Sequence, residues 1–233
     1  MKTSRILGTC GAAALTAAAL LALAPSSHAA TFTYNVTLNV GTLVGNPNGP
    51  FSLDLQLVPG SANFANSVTI SNFVVTGGSF TGTPTYTNGN ESGSTSSSVT
   101  LSMSVGSSPF NPEEFAQAFT SSTTQISFQV QETNNQETVG SGSPIPDQFN
   151  VAILDSGLNN IATNDPSTGN TIVSNAMIGS QILSQQVATY ASTGSDGNGG
   201  VTAVVAVPEP ASAAMLFVGA IGLVARRKTR RSA

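Results

Sequence analysis

The chain has 233 residues, enough for one ordinary domain with targeting segments, and only 8% of them are charged. All seven Lys and Arg sit at the two ends, so residues 30–206 hold ten carboxylates, no base and no Cys, His or Trp, a formal charge of −10. Such a body cannot neutralise phosphates and cannot form disulfides, which excludes nucleic acid as a partner and leaves stability to an apolar core.

Residues 1–29 carry the pattern of a secretory signal peptide. Lys2 and Arg5 give a basic start, Ala12–Leu23 an apolar core, Pro25 a helix break, and Ser27-His28-Ala29 small residues for signal peptidase to cut after Ala29. Cys10 precedes the apolar core instead of following it, so it is not a lipoprotein cysteine. Both Cys10 and His28 leave with the leader.

Thr31–Val40 alternates strictly, with Phe32, Tyr34, Val36, Leu38 and Val40 on one side, and predicts a half-buried strand. Gly45–Pro50 is a turn. Phe51, Leu53, Leu55 and Leu57 alternate next. Val68 and Ile70 continue the period, but Phe73 and Val75 fall out of phase, which calls for a β-bulge near Ser71–Asn72. Val99–Val105, Ile126–Val130 and Phe149–Ile153 are further strands; Ile172–Ile178 and Val201–Val207 are weaker ones. One short helix is expected at Asn111–Phe119: Asn111 caps it, Pro112 suits its first turn, Glu113 and Glu114 favour its positive end, and Phe115 and Phe119 stand four apart. Loops are expected at Asn88–Ser98, Thr133–Pro146 and Asn159–Gly169, and a flexible linker at Ser192–Gly200.

The pattern implies an all-β fold, an antiparallel β-sandwich or jelly roll with one short helix. The boundaries are 1–29 for the leader, 30–191 for the sandwich, 192–206 for a linker that includes a candidate last strand, and 207–233 for the tail.

That tail has three parts in order. Pro208-Glu209-Pro210 comes first, then the uncharged run Ala211–Ala225, then Arg226, Arg227, Lys228, Arg230 and Arg231. A 15-residue helix is about 22 Å long, short of the roughly 30 Å hydrocarbon layer, so it spans only marginally and transiently. The basic cluster stays cytoplasmic and the body outside. The tail resembles the PEP-CTERM sorting signal of Gram-negative bacteria that make exopolysaccharide. The resemblance implies processing by the integral-membrane enzyme exosortase, a transient stay in the inner membrane, and delivery to the cell surface or medium. The body strings Phe51–Gly60, Ser67–Phe73, Phe115–Phe119, Ile126–Val130 and Phe149–Asp155 resemble a recurring body type among short PEP-CTERM proteins, from which no activity carries over.

Nucleophilic catalysis normally pairs Ser, Thr or Cys with a basic side chain, and the body has no His, Lys or Cys. Redox cofactors and catalytic zinc are closed for the same reason, so no cofactor is expected. What remains is carboxylate chemistry, and Glu113 and Glu114 at a helix start would be held as anions, the wrong direction for an acid. Calcium is the one metal the inventory admits, through Asp155, Asn159, Asn160, Asn164 and Asp165, or Asp196 and Asn198, although ordinary turns explain both clusters. Tyr34, Tyr86 and Tyr190 are the residues able to stack on sugars, and Tyr34 reads as core. The function expected is that of an exported, non-catalytic surface or extracellular-matrix protein associated with exopolysaccharide. A polysaccharide-binding module is the alternative, and a carboxylate-dependent glycoside hydrolase ranks last.

Overall fold

The computed structural model describes residues 30–60, 65–103, 111–134, 145–177 and 187–207. Twelve strands follow in chain order: β1 (Ala30–Asn39), β2 (Ser52–Val58), β3 (Ser67–Thr76), β4 (Thr85–Thr87), β5 (Glu91–Gly93), β6 (Ser98–Ser102), β7 (Glu113–Ala118), β8 (Gln125–Asn134), β9 (Gln148–Leu154), β10 (Val173–Ala176), β11 (Ala188–Thr189) and β12 (Thr202–Ala206). They make two six-stranded sheets, ordered β12-β1-β8-β3-β6-β5 and β11-β10-β9-β2-β7-β4. The run 1-8-3-6 in one sheet against 2-7-4 in the other is the order of a jelly roll, extended at the edges. The expected all-β sandwich is what forms.

The alternation sets the layers. Phe32, Tyr34, Val36 and Leu38 of β1 point inward and are almost wholly buried, as are Leu53, Leu55 and Leu57 of β2 and Phe149, Val151 and Ile153 of β9. These side chains from both sheets join one apolar cluster with Val68, Ile70, Leu101, Phe115, Ile126, Phe128 and Val130. The phase break in β3 is a bulge: its register against β8 shifts between Ser71 and Val74, with Asn72 at φ 57°. Phe73 is thereby returned to the interior, where it packs on Phe80 and Phe128 at ring separations of 5.8 and 5.6 Å.

Three expectations are corrected. Asn88–Ser98, expected as a loop, holds β5, whose Glu91, Ser92 and Gly93 pair antiparallel with Leu101, Thr100 and Val99 of β6. The segment Asn111–Phe119 is not a helix; its Glu113–Ala118 portion is β7, paired with β2 on one side and β4 on the other. A spacing of four satisfies period 2 as well as period 3.6, so Phe115 and Phe119 both face inward from extended chain, 0% and 2% exposed. A helix of so few residues would be marginal alone, whereas two flanking strands satisfy the backbone here. Ser192–Gly200, read as a flexible linker, is tied to the body. Ser192 N–H donates to Val201 O (2.9 Å), Asn46 Nδ2 to Gly197 O (3.2 Å), Asn48 Nδ2 to Asn198 Oδ1 (3.0 Å) and Thr42 Oγ1 to Gly200 O (2.9 Å). Val201–Val207 does supply a strand, with Thr202–Ala206 pairing β1 from Asn39 back to Asn35.

Leu55 is fully buried and Val74 is 58% exposed. Leu55→Ala is expected to cost about 2–5 kcal/mol in denaturant unfolding, while Val74→Ala stays within about 0.5 kcal/mol. Equal effects would contradict the inside–outside assignment.

Candidate functional site

Ala29, Pro208, Glu209, Pro210, Arg226, Arg227, Lys228, Arg230 and Arg231 lie outside the described residues. The body's own candidate features are its two outward sheet faces and its carboxyl groups.

The outward face of the first sheet is free of charge. Asn35, Thr37 and Asn39 of β1 stand beside Thr202 of β12, Gln125, Ser127, Gln129 and Gln131 of β8, and Thr69, Ser71, Ser98 and Thr100 of β3 and β6. Amide meets amide across the strands: Gln129 Nε2 donates to Asn35 Oδ1 (3.3 Å), Gln125 Nε2 to Asn39 Oδ1 (3.2 Å) and Asn72 Nδ2 to Gln129 Oε1 (3.4 Å). Such a lattice offers donors and acceptors in equal supply, without a net field. None of the three tyrosines stacks on it. Tyr34 is fully buried, and Tyr86 packs edge-on against Phe115 at 5.5 Å with its hydroxyl donating to Gly93 O (2.6 Å). Tyr190 lies beyond β11, with its N–H donating to Ile172 O (2.8 Å).

The second sheet carries its polar groups differently. On its outward face Asp54 lies opposite Ala116 and Ala152, and Gln56 lies opposite Glu114 and Asn150. Asp54 is wholly buried and Asn150 is 8% exposed. Gln56 Nε2 donates to Asp54 Oδ2 (2.7 Å), while Asp54 Oδ1 and Asn150 Oδ1 have no hydrogen-bond partner. Burial first, then the neighbouring Glu114 carboxyl, push Asp54 up to about 8, only partly offset by the Gln56 amide. Glu113, adjacent to Glu114, points to the opposite face and is buried. It accepts from Asn90 Nδ2 (2.8 Å) and Asn90 N–H (3.3 Å). Burial raises its carboxyl above the ordinary range against those amide donors, and Glu91 adds to the rise. The helix-start reading of Glu113 and Glu114 is therefore overturned, since a sheet has too small a net dipole to hold them as anions, and for Glu113 the shift runs upward.

Between the sheets, Tyr34 hydroxyl donates to Glu132 Oε1 and Asn175 Nδ2 to Glu132 Oε2, each at 2.5 Å. Burial lifts Glu132 to about 7 even though both donors favour the anion. Sequence reasoning passed over Asp54 and Glu132. Glu132 was within reach, since the inward positions Ile126, Phe128 and Val130 lead by twos to it. Asp54 gave no such signal, because its alternation places it outward.

The loop clusters read for calcium are closed by the chain itself. Asp155 Oδ1 accepts from Gly157 N–H (2.8 Å) and Asn159 N–H (2.9 Å). Asp165 accepts from Ser167 N–H and Thr168 Oγ1, and Asp196 from Ala162 N–H and Asn198 N–H. Desolvation opposes ionisation of Asp165 and Asp196, but these donors win and hold both carboxyls below the ordinary value. Among the described residues no group of three or more His, Cys, Asp or Glu is placed to hold a metal. No helix among them is long and apolar enough to cross a membrane, and the run Ala211–Ala225 lies outside them.

A family model, the PEP-CTERM protein-sorting motif, matches residues 206–231. No curated protein and no solved structure matches the chain. The matched segment includes all three parts of the tail and begins at the last residue of β12.

The raised carboxyls set the pH dependence of stability. A carboxyl whose folded pKa lies above its unfolded value contributes stability that is complete below the unfolded pKa and lost as pH rises through the folded one. For Glu132 the window runs from 4.5 to about 7, and for Asp54 from 3.8 to about 8. Asp165 and Asp196 act oppositely, losing stability as pH falls below 3.8. The thermal midpoint is therefore expected to be highest near pH 4–5 and to decline towards pH 8. Glu132→Gln should remove a contribution on the order of 3 kcal/mol from that decline. A midpoint that climbs from pH 5 to pH 8 would contradict the burial of both groups.

Proposed function

We propose that this PEP-CTERM protein, exported towards the cell surface and processed by exosortase, serves there as a non-catalytic component of the extracellular matrix that associates with exopolysaccharide. The observation that carries the proposal is the uncharged amide and hydroxyl face of the first sheet, centred on Asn35, Asn39, Gln125 and Gln129. Sugar hydroxyls are both donors and acceptors, and so are these side chains. A body of charge −10 repels acidic glycans, so a neutral or weakly charged polysaccharide is the matching class. With no aromatic ring on that face, each contact is weak, and retention comes from many copies on one polymer.

Non-catalytic behaviour is supported by the placement of the carboxyls. Asp54, Glu113 and Glu132 are all buried, out of reach of a polymer at the surface. Transfer of the tail to exosortase and of the leader to signal peptidase follows from the sorting motif and from the Ser27-His28-Ala29 pattern.

Two measurements test this reading. Protein purified from the medium should begin near Ala30 and lack Arg226–Arg231 by intact mass; a main extracellular form that retains the basic cluster would count against exosortase processing. In sedimentation with the host's own exopolysaccharide, the double change Asn35→Ala with Gln129→Ala should lower retention about tenfold, as expected for loss of two hydrogen-bonding groups. Undiminished retention would reject the face, and release of reducing ends by wild type that disappears in Asp54→Asn would replace the matrix reading with a hydrolase.

A further inference from the structure

We propose that Asp54, Glu114 and Asn150 form a binding site for one divalent cation, calcium, on the outward face of the second sheet. The loop clusters that the sequence offered for calcium are occupied by their own backbone N–H groups, so the cation ligands are sought elsewhere. The strand register brings these three residues together. Asp54 is the diagonal neighbour of Glu114 across the β2–β7 ladder and of Asn150 across the β2–β9 ladder, all on one face. Diagonal neighbours on a sheet stand roughly 7–8 Å apart at the backbone, within reach of converging side chains.

Three features favour a cation there. Asp54 Oδ1 and Asn150 Oδ1 are buried oxygens without a hydrogen-bond donor, a costly state that a metal ligand does not suffer. Asp54 Oδ2 is held by Gln56 Nε2 at 2.7 Å, so the carboxylate is oriented with its other oxygen left to bind. Two carboxylates and an amide oxygen are hard donors, and a dication neutralises the pair in a body that has no Lys or Arg to do so. Waters complete the six to eight oxygens that calcium takes, and extracellular modules of this kind bind it at about 10⁻⁴–10⁻³ M.

Around the pair stand Gln56, Ala116, Ala152 and Asn150, Thr87 of β4, whose Oγ1 lies 3.4 Å from Glu114 Oε2, and Glu91, whose Oε1 accepts from Glu114 N–H (3.0 Å).

The test uses the exported protein, stripped with EDTA and dialysed. At pH 7.5 and calcium about a hundredfold above its dissociation constant, the thermal midpoint should rise by about 5–10 °C. Magnesium should give little. Asp54→Asn and Glu114→Gln should each lose it, while Glu132→Gln keeps it. Titration calorimetry of the wild type should show one calcium bound per chain. That second measurement stands even where Asp54→Asn does not fold. A midpoint indifferent to calcium, a rise that survives both substitutions, or calorimetry that shows no calcium bound would overturn the site.

Discussion

Every carboxyl group of the sandwich must be satisfied without a cationic side chain, and the polar architecture follows from that constraint. In an ordinary domain, arginine or lysine would pair with buried acids. Here Asp147 is 1% exposed and accepts from Gly60 N–H (2.7 Å) and Asn66 Nδ2 (2.8 Å), pinning the end of β2 to the approaches of β3 and β9. Gly60 is required at that contact because a Cβ would lie 1.9 Å from Ile145 O. Glu132 takes a phenol and an amide, Glu113 takes Asn90, and Asp54 takes Gln56 and a neighbouring acid. Acids thus serve as acceptors that organise loops and the inter-sheet space, and a raised affinity for protons is the result where donors are few.

Much of this was legible beforehand. The inward sets of β1, β2, β8 and β9 follow directly from alternation, and the bulge in β3 follows from the change of phase at Phe73. Asn111–Phe119 reads as a helix because a proline, two acids and a pair of phenylalanines four apart satisfy helix rules, although a spacing of four fits period 2 equally well. Ser192–Gly200 was misread because glycine, serine and asparagine suit a linker and a network of tight turns equally well. Composition cannot separate them; the partners Thr42, Asn46 and Asn48 are some 150 residues away in the chain. The Asp54–Glu114 pair was invisible for a related reason, since only the register of β2 against β7 makes neighbours of them. The tail, by contrast, is read from residue order alone, and the match at residues 206–231 rests on the same order.

The two outward faces divide the polar work. One sheet shows solvent an uncharged amide lattice in which donors and acceptors balance one another. The other buries acid, amide and alanine side chains together and leaves two oxygens without donors. A face of the first kind suits many weak contacts, whereas one of the second kind suits a single small occupant.

The pairing of β1 with β12 has a geometric consequence. Because the two strands run antiparallel with Asn35 opposite Ala206, the body's entering and leaving chain ends emerge from the same pole of the sandwich. A tether through either end grips the molecule by that pole alone. The opposite pole is formed where Thr42, Asn46 and Asn48 are laced to Gly197, Asn198 and Gly200. Anything that holds the chain at residue 30 or residue 207 therefore leaves this laced pole open to the surroundings.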